Sequence, residues 1–297
     1  MKKILSILLV LAIVLGCVLS MTACGKKDET ANTTEATTEA TTIPQKEYTI
    51  EEVAAAAEEM KFTGHGLQTA YCPKCNEVVP WGEITETSAV LIGAGNCAHY
   101  YLGEDVYRPT SLFAYNGSAC IFFNGYTLTF DGSAEGHALN TAIGSNAGSE
   151  VTLMGKGGII SENRACAAPN GGVLNICGGV YETIIETDVT LRTNHATSEL
   201  YIYKATVKGD VTYRTGNPES KLGIFGEVTM DTLNVESGAI TIGTLPEGTE
   251  IAVNAEGKFT HDFESVEAAE AAAKCFVAAD DTMKIVVEGK ALSCVAK

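Results

Sequence analysis

The stretch Leu174-Asn175-Ile176-Cys177-Gly178 carries the pattern that decides the fold of this chain. Two aliphatic residues stand at alternate positions and a glycine follows two places later, as in a short buried strand that ends in a turn. Related stretches recur 18 to 30 residues apart. They are Ile121-Phe122-Phe123-Asn124-Gly125, Val151-Thr152-Leu153-Met154-Gly155, Leu200-Tyr201-Ile202-Tyr203-Lys204, Leu222-Gly223-Ile224-Phe225-Gly226 and Ile240-Thr241-Ile242-Gly243-Thr244.

Strands that repeat at this period are typical of a solenoid in which each copy forms one coil. Glycine, threonine and β-branched residues dominate the copies and no 3.6-residue period is present, which excludes helical repeats. We therefore predict an all-β fold, a parallel β-helix over residues 83–260. A β-sandwich is the weaker alternative, because a sandwich does not require its strands to share an internal motif.

The copies also predict which side chains stack inside the β-helix. With coils ~4.8 Å apart, about six or seven coils would make a rod roughly 30 Å long. The expected inward columns are Ile121, Val151, Leu174, Leu200, Leu222 and Ile240, and Phe123, Leu153, Ile176, Ile202, Ile224 and Ile242.

Residues 48–82 are expected to form an N-terminal cap, since the ends of a β-helix expose strand edges that need covering. Thr49 as N-cap and Glu52 three residues later form a capping box, which predicts a short helix at this point. We expect this helix and the region of Trp81 to close one end of the stack.

Residues 261–297 are predicted as the opposite cap, a helix followed by a strand. Ser265 is the expected N-cap of a helix over residues 264–276, whose apolar stripe would be Val266, Ala269, Ala273 and Phe276. A final strand is expected over residues 283–287. Cys275 and Cys294 could form a disulfide in this region, and two buried thiols are the alternative.

The first 24 residues have the layout of an export signal, in which Lys2 and Lys3 precede an uncharged apolar run and small residues. The ending Met21-Thr22-Ala23-Cys24 resembles the lipobox of bacterial lipoproteins. The resemblance implies that residues 1–23 are removed and that acylated Cys24 holds the protein in the bilayer, at the outer face of the bacterial membrane. An uncleaved membrane helix and modification at Cys17 are the alternatives.

Charge and composition limit the partners of the mature chain. The net charge of the full chain is −17. The mature chain is more negative still, because removal of residues 1–23 takes away two lysines and no acid. Such a surface repels nucleic acid and disfavours polyanionic ligands, so no nucleic-acid partner is expected. Residues 24–47 are rich in Thr, Ala and Glu and are predicted to be a disordered tether.

The sharpest local motif is Cys72-Pro73-Lys74-Cys75. A Cys-x₂-Cys pair holds one zinc ion from a tight turn, and a structural site needs two more ligands. The predicted set adds His65 and Cys97, with His99 also near in sequence. Such a zinc would be structural and would fasten the N-terminal segment to the first coil. A Cys72–Cys75 disulfide and free thiols are the alternatives, whereas a redox role lacks the βαβ context.

The sequence offers no catalytic constellation. Gly64-His65-Gly66 is similar to a motif of polygalacturonases, but it precedes every coil and lacks that family's aspartate motifs. Asp188, Asp210 and Asp231 recur at spacings of 22 and 21, which could align them on one ligand-facing side. Tyr201 and Tyr203 alternate with inward aliphatic residues, so they should face outward, where tyrosines can stack on sugar rings or on proteins.

Three runs resemble the N-terminal region of uncharacterised surface and secreted proteins of Firmicutes. The runs are YCPKCNEVVPW at 71–81, CAHYYLGEDV at 97–106 and ACIFFNGYTLTF at 119–130. The resemblance, over roughly residues 70–260, implies a right-handed β-helix of the pectate-lyase-like superfamily at the cell surface, and it brings no catalytic residues. We expect a binding or structural module for glycan, cell-wall or protein partners. A polysaccharide lyase or glycoside hydrolase is the alternative.

Overall fold

The computed structural model describes residues 49–88, 97–114, 116–132, 141–146, 148–162, 164–168, 171–183, 189–193, 198–215, 219–236, 239–260 and 263–297. Cys17, Cys24 and Asp188 lie outside these ranges. The helices are α1 (Ile50–Glu58) and α2 (Val266–Ala273). The strands are β1 (Gln68–Cys72), β2 (Glu77–Ile84), β3 (Cys97–Leu102), β4 (Val106–Arg108), β5 (Leu112–Ala114), β6 (Ser118–Phe122), β7 (Thr127–Phe130), β8 (Thr141–Ser145), β9 (Glu150–Met154), β10 (Gly158–Ser161), β11 (Arg164–Ala167), β12 (Val173–Cys177), β13 (Val180–Thr183), β14 (Val189–Thr193), β15 (Glu199–Tyr203), β16 (Thr206–Lys208), β17 (Val211–Thr215), β18 (Lys221–Phe225), β19 (Thr232–Val235), β20 (Ala239–Ile242), β21 (Ile251–Asn254), β22 (Gly257–Thr260), β23 (Phe276–Ala278), β24 (Met283–Glu288) and β25 (Ala291–Ala296).

The predicted β-helix is confirmed, with about six coils. Consecutive strands such as β9, β10 and β11 enter three different sheets, and the strands of the next coil pair with them in parallel. The sheets have the orders β1-β2-β3-β6-β9-β12-β15-β18-β20, β16-β13-β10-β7-β4 and β23-β21-β19-β17-β14-β11-β8-β5. Because each coil repeats the same path, like positions of successive coils stack.

The inner columns match the prediction from β9 onward and differ in the first copy. Leu153 pairs with Ile176 on one side, as expected, but with Ile121 rather than Phe123 on the other. Val151 pairs with Ala119. The predicted register of this copy is therefore wrong by two residues. Alternation has a period of two, so a shift of two keeps the same face inward and the sequence pattern cannot detect it.

The N-terminal helix forms as predicted but in a different place. Thr49 caps α1, and Glu52 completes the capping box. The helix packs on the outer face of the nine-stranded sheet, against β12 and β15, rather than across an end. It does so because its small and apolar face, Val53, Ala54 and Ala57, is buried in a second apolar cluster outside the β-helix.

The C-terminal cap is a short helix and a three-stranded sheet of order β22-β25-β24. Ser265 caps α2 as predicted, but the helix ends at Ala273, Phe276 begins a strand and Val266 is 42% exposed. Cys275 and Cys294 are buried free thiols. Among the residues that the structure describes, neither helix is long and apolar enough to cross a membrane.

Candidate metal centre

The hairpin turn between β1 and β2 positions the first two sulfurs. Cys72 ends β1 and pairs with Glu77, so residues 73–76 form the turn. Asn76 adopts a left-handed conformation with φ 57°, and its N–H donates to the carbonyl oxygen of Cys72 at 2.8 Å. Asparagine tolerates this conformation better than most residues, so the sequence closes the turn tightly enough to place Cys72 and Cys75 side by side.

The β-helix supplies the other two candidate ligands. His99 on β3 and Cys120 on β6 are direct register partners in neighbouring strands. Ala119 and Ile121, on either side of Cys120, are buried in the main core, whereas Cys120 belongs to the outer cluster. Because side chains alternate along a strand, His99 and Cys120 project from the outer face of the sheet, toward the hairpin.

These four residues form a compact Cys₃His group. Their ligand atoms all lie within 4.8 Å of one another. The Nε2 atom of His99 lies 3.2 Å from Sγ of Cys75. Tetrahedral zinc with Zn–S distances of ~2.3 Å needs ligand atoms roughly 3.8 Å apart, and Cys₃His is a standard donor set of structural zinc sites. The group therefore fits one soft metal ion held between the hairpin and the first coils.

The predicted ligands Cys97 and His65 lie outside this group of four. Cys97 is close by, with its Sγ 3.4 Å from Sγ of Cys120. His65 instead places Nδ1 2.6 Å from Oε1 of Glu83, and its side chain is 68% exposed. Cys97 is thus a neighbour of the group, whereas His65 forms a surface ion pair when protonated.

The thiols of this group strongly shift one another's pKa values. Hydrogen bonds from Cys120, Cys72 and Cys97 hold the pKa of Cys75 far below its ordinary value. Hydrogen bonds with Cys72, Cys75 and Cys97, together with burial, raise the pKa of Cys120. A thiolate at Cys75 is the form that binds metal, because zinc is bound by deprotonated sulfur.

Aromatic side chains pack beside the group, which is buried at Cys72 and Cys120 and partly exposed at Cys75. Trp81 is fully buried and meets the ring of His99 edge-on, with centroids 5.0 Å apart. Phe62 stacks on Tyr101 at 4.3 Å. The Nε1–H of Trp81 donates to the carbonyl oxygen of Ala70 at 3.2 Å, which ties the indole to the hairpin. A low-dielectric surround of this kind strengthens the attraction between a cation and thiolates.

The other predicted site residues are dispersed. Tyr201 faces outward as expected, and its hydroxyl donates to Glu199 at 2.7 Å. Tyr203 is half-buried and packs against the cluster under α1. Asp210 accepts a hydrogen bond from Asn234 at 3.3 Å. Val211 pairs with Leu233, so Asp210 is level with Thr232 in the neighbouring strand. Asp231 comes one residue earlier, and the two aspartates are therefore one register position apart.

Cys120 is the ligand that the sequence reasoning missed. It stands 45 residues after Cys75, and no spacing rule connects the two. A signal was nevertheless present: Cys120 and His99 each alternate with residues of the repeat that face inward. Placing the two strands in register would have put both side chains on the outer face.

Comparison with known proteins adds no relative that would explain this geometry. No family model, no curated protein and no solved structure matches the chain.

Proposed function

We propose that the protein is an extracytoplasmic lipoprotein, anchored through acylated Cys24, whose β-helix is a binding module for glycan, cell-wall or protein partners. The layout of residues 1–24 and the resemblance to Firmicutes surface proteins support the location. A rigid parallel β-helix supports the role, since solenoids offer long exposed faces for partners. The net charge of −17 favours partners that are not polyanions.

A structural zinc ion is the second part of the proposal. The observation that carries it is the Cys72, Cys75, His99 and Cys120 group within 4.8 Å. Two of these ligands would come from the hairpin turn and two from strands β3 and β6. The ion would cross-link the N-terminal segment to the coils, and metal binding of this kind contributes directly to folding stability.

Metal analysis of the purified full chain tests the zinc site. We expect about one zinc per chain in the wild type and a large loss in Cys120→Ser, because three ligands bind structural zinc far more weakly than four. Cys166→Ser is the matched control, since Cys166 is a fully buried thiol of the β-helix interior. It should keep its zinc even if it lowers stability.

Cobalt(II) substitution provides a readout that does not depend on how stable the variants are. The wild type should show the spectrum of tetrahedral cobalt with thiolate-to-metal charge transfer, and Cys75→Ser should weaken that band. A chelator should lower Tm of the wild type, by several degrees if the ion contributes a few kcal/mol. A wild-type protein that is metal-free after purification in zinc and binds no cobalt would refute the site.

Two further assays test location and binding. Labelled palmitate should enter the wild type and Cys17→Ala but not Cys24→Ala; label retained in Cys24→Ala would contradict the anchor. Glycan arrays and pull-downs with cell-wall fragments should reveal a ligand without turnover. Cleavage of a polysaccharide, abolished by substituting Asp210 or Asp231, would instead favour the lyase or hydrolase alternative.

A further inference from the structure

A groove of about 600 Å³ runs beside the metal centre, between the first turn of α1 and the outer face of the nine-stranded sheet. Its volume lies within the range of small-molecule sites, which is ~300–1,000 Å³. Strands β9, β12, β15 and β18 form its floor. The side chains that carry the argument are Lys74, Glu150, Asn175, Glu199, Tyr201 and Phe225.

Two aromatic rings form one apolar surface at the end of the groove. Tyr201 and Phe225 lie on neighbouring strands with centroids 6.5 Å apart and ring planes 29° apart. Gly223, the register partner of Tyr201, leaves the space that both rings fill, since a Cβ there would lie 2.5 Å from each ring. Glu199 accepts the hydroxyl hydrogen of Tyr201 at 2.7 Å, so this ring is held in place before any ligand arrives.

Polar side chains line the rest of the groove. Lys74 and Glu150 form an ion pair at 2.7 Å, and both side chains are 33% exposed. Asn175 donates from Nδ2 to Oε1 of Glu150 at 2.8 Å and to Oγ1 of Thr152 at 3.3 Å. An ammonium has three donors and a carboxylate accepts about four hydrogen bonds, so these groups keep capacity for a ligand.

Three carboxylates, Glu51, Glu150 and Glu199, line the groove with one cation, Lys74, and Lys221 adds a second cation from outside the lining, so the groove carries a small net negative charge. The carboxylates of Glu150 and Glu199 are paired with Lys74 and Lys221, at 2.7 and 3.1 Å. A site of this kind disfavours a polyanion, and most of its charge is already paired within the protein. An aromatic pair beside hydrogen-bond donors and acceptors suits a ligand with an apolar ring face and a rim of hydroxyl groups, which is the chemistry of a neutral sugar.

We propose that this groove binds a neutral saccharide of up to about three rings. One sugar ring stacks on Tyr201 and Phe225, and hydroxyl groups bind Glu150, Asn175 and Lys74. This proposal rests on the proposed binding function. It adds the location of the binding site on the β-helix and the class of ligand that binds there. It also adjoins the metal centre, because Lys74 lies in the turn between Cys72 and Cys75.

Calorimetric titration of the full chain tests the site with two probes, the trisaccharides of β-1,4-linked glucose and of β-1,4-linked N-acetylglucosamine. At least one should bind, whereas a trigalacturonate should not. Tyr201→Ala should weaken binding about tenfold, since stacking on a ring contributes on this scale. Tyr201→Phe keeps the ring and should retain most of the affinity, which separates stacking from folding defects.

Tyr107→Ala is the matched control, because Tyr107 is a 50% exposed tyrosine on β4 and lies outside the groove. Its affinity should equal that of the wild type. Equal losses of affinity in Tyr107→Ala and Tyr201→Ala would contradict the groove as the binding site. Binding that survives Tyr201→Ala and Phe225→Ala together would contradict it as well. Either result would leave the proposed binding function of the β-helix unaffected. Failure of both neutral probes, with a glycan array and pull-downs also negative, would overturn both.

Discussion

The two faces of the nine-stranded sheet differ in how much their side chains vary from one coil to the next. On the inner face, Leu153, Ile176, Ile202 and Ile224 stack in register, and each is fully buried. On the outer face, the positions one residue earlier are Thr152, Asn175, Tyr201 and Gly223. The same strands therefore carry a column of similar aliphatic residues on the inner face and a different kind of residue in each coil on the outer face.

The difference reflects what lies opposite each face. The inner face meets the same β-helix interior at every coil, so one kind of residue suits all coils. The outer face meets the Cys-x₂-Cys hairpin near β3 and β6, α1 near β12 and β15, and the open groove along β9 to β18. The interior thus maintains the fold, whereas the candidate metal and ligand sites lie outside.

Neighbouring substitutions in β12 measure this contrast most directly. Ile176→Ala should destabilise the protein by about 2–5 kcal/mol, because it leaves a cavity in the stacked interior. Asn175→Ala removes hydrogen bonds on the outer face and should cost only about 1 kcal/mol. Urea unfolding measures both. Similar losses from the two variants would show that the outer face is as important for folding as the interior.

The corners between the faces should be sensitive where coils approach closely. A Cβ at Gly158 would lie 1.7 Å from the carbonyl oxygen of Val180 in the next coil, whereas at Gly125 it would meet nothing within 4 Å. Gly158→Ala should cost about 3 kcal/mol, since neighbouring backbone must move. Gly125→Ala, at φ 88°, should show only the cost of a left-handed residue, about 1–2 kcal/mol. Thermal unfolding measures the Tm of both variants. A lower Tm for Gly125→Ala than for Gly158→Ala would contradict the close approach of Gly158 to Val180 of the next coil.

The smallest expected effect is at the exposed ion pair of His65. The hydrogen bond and charge of Glu83 raise the pKa of His65 above its usual value. Because the folded pKa is raised, any stabilisation is fully present below the unfolded pKa, ~6.5, and is lost as pH rises through the folded pKa. NMR titration should show this pKa fall toward the ordinary value in Glu83→Gln.

Glu104→Gln is the control for that titration, since Glu104 adds only a weaker charge effect on His65. It should leave the raised pKa of His65 nearly intact. If both variants lowered this pKa equally, the direct contact between His65 and Glu83 would not be its main cause.

Part of the candidate site was predictable from local sequence. Cys72 and Cys75 form a recognisable pair because a tight turn needs only adjacent residues. Cys120 and His99 were harder, since their approach to the turn depends on register between strands and on the side of the sheet where the hairpin lies. His65 and Cys97 were chosen for closeness along the chain, which does not measure closeness in space.

By itself, the sequence determined that this chain coils its strands into a β-helix, because alternation and turn glycines are local properties that repeat in every coil. It also determined both helix N-caps, Thr49 and Ser265, since capping needs only residues within one turn. Only the tertiary structure decided that Ile121 pairs with Leu153, that α1 lies on a face, and that Cys120 joins His99 and the hairpin thiols. These features depend on packing between distant segments, and a period-two pattern is unchanged by the shifts that distinguish one packing from another.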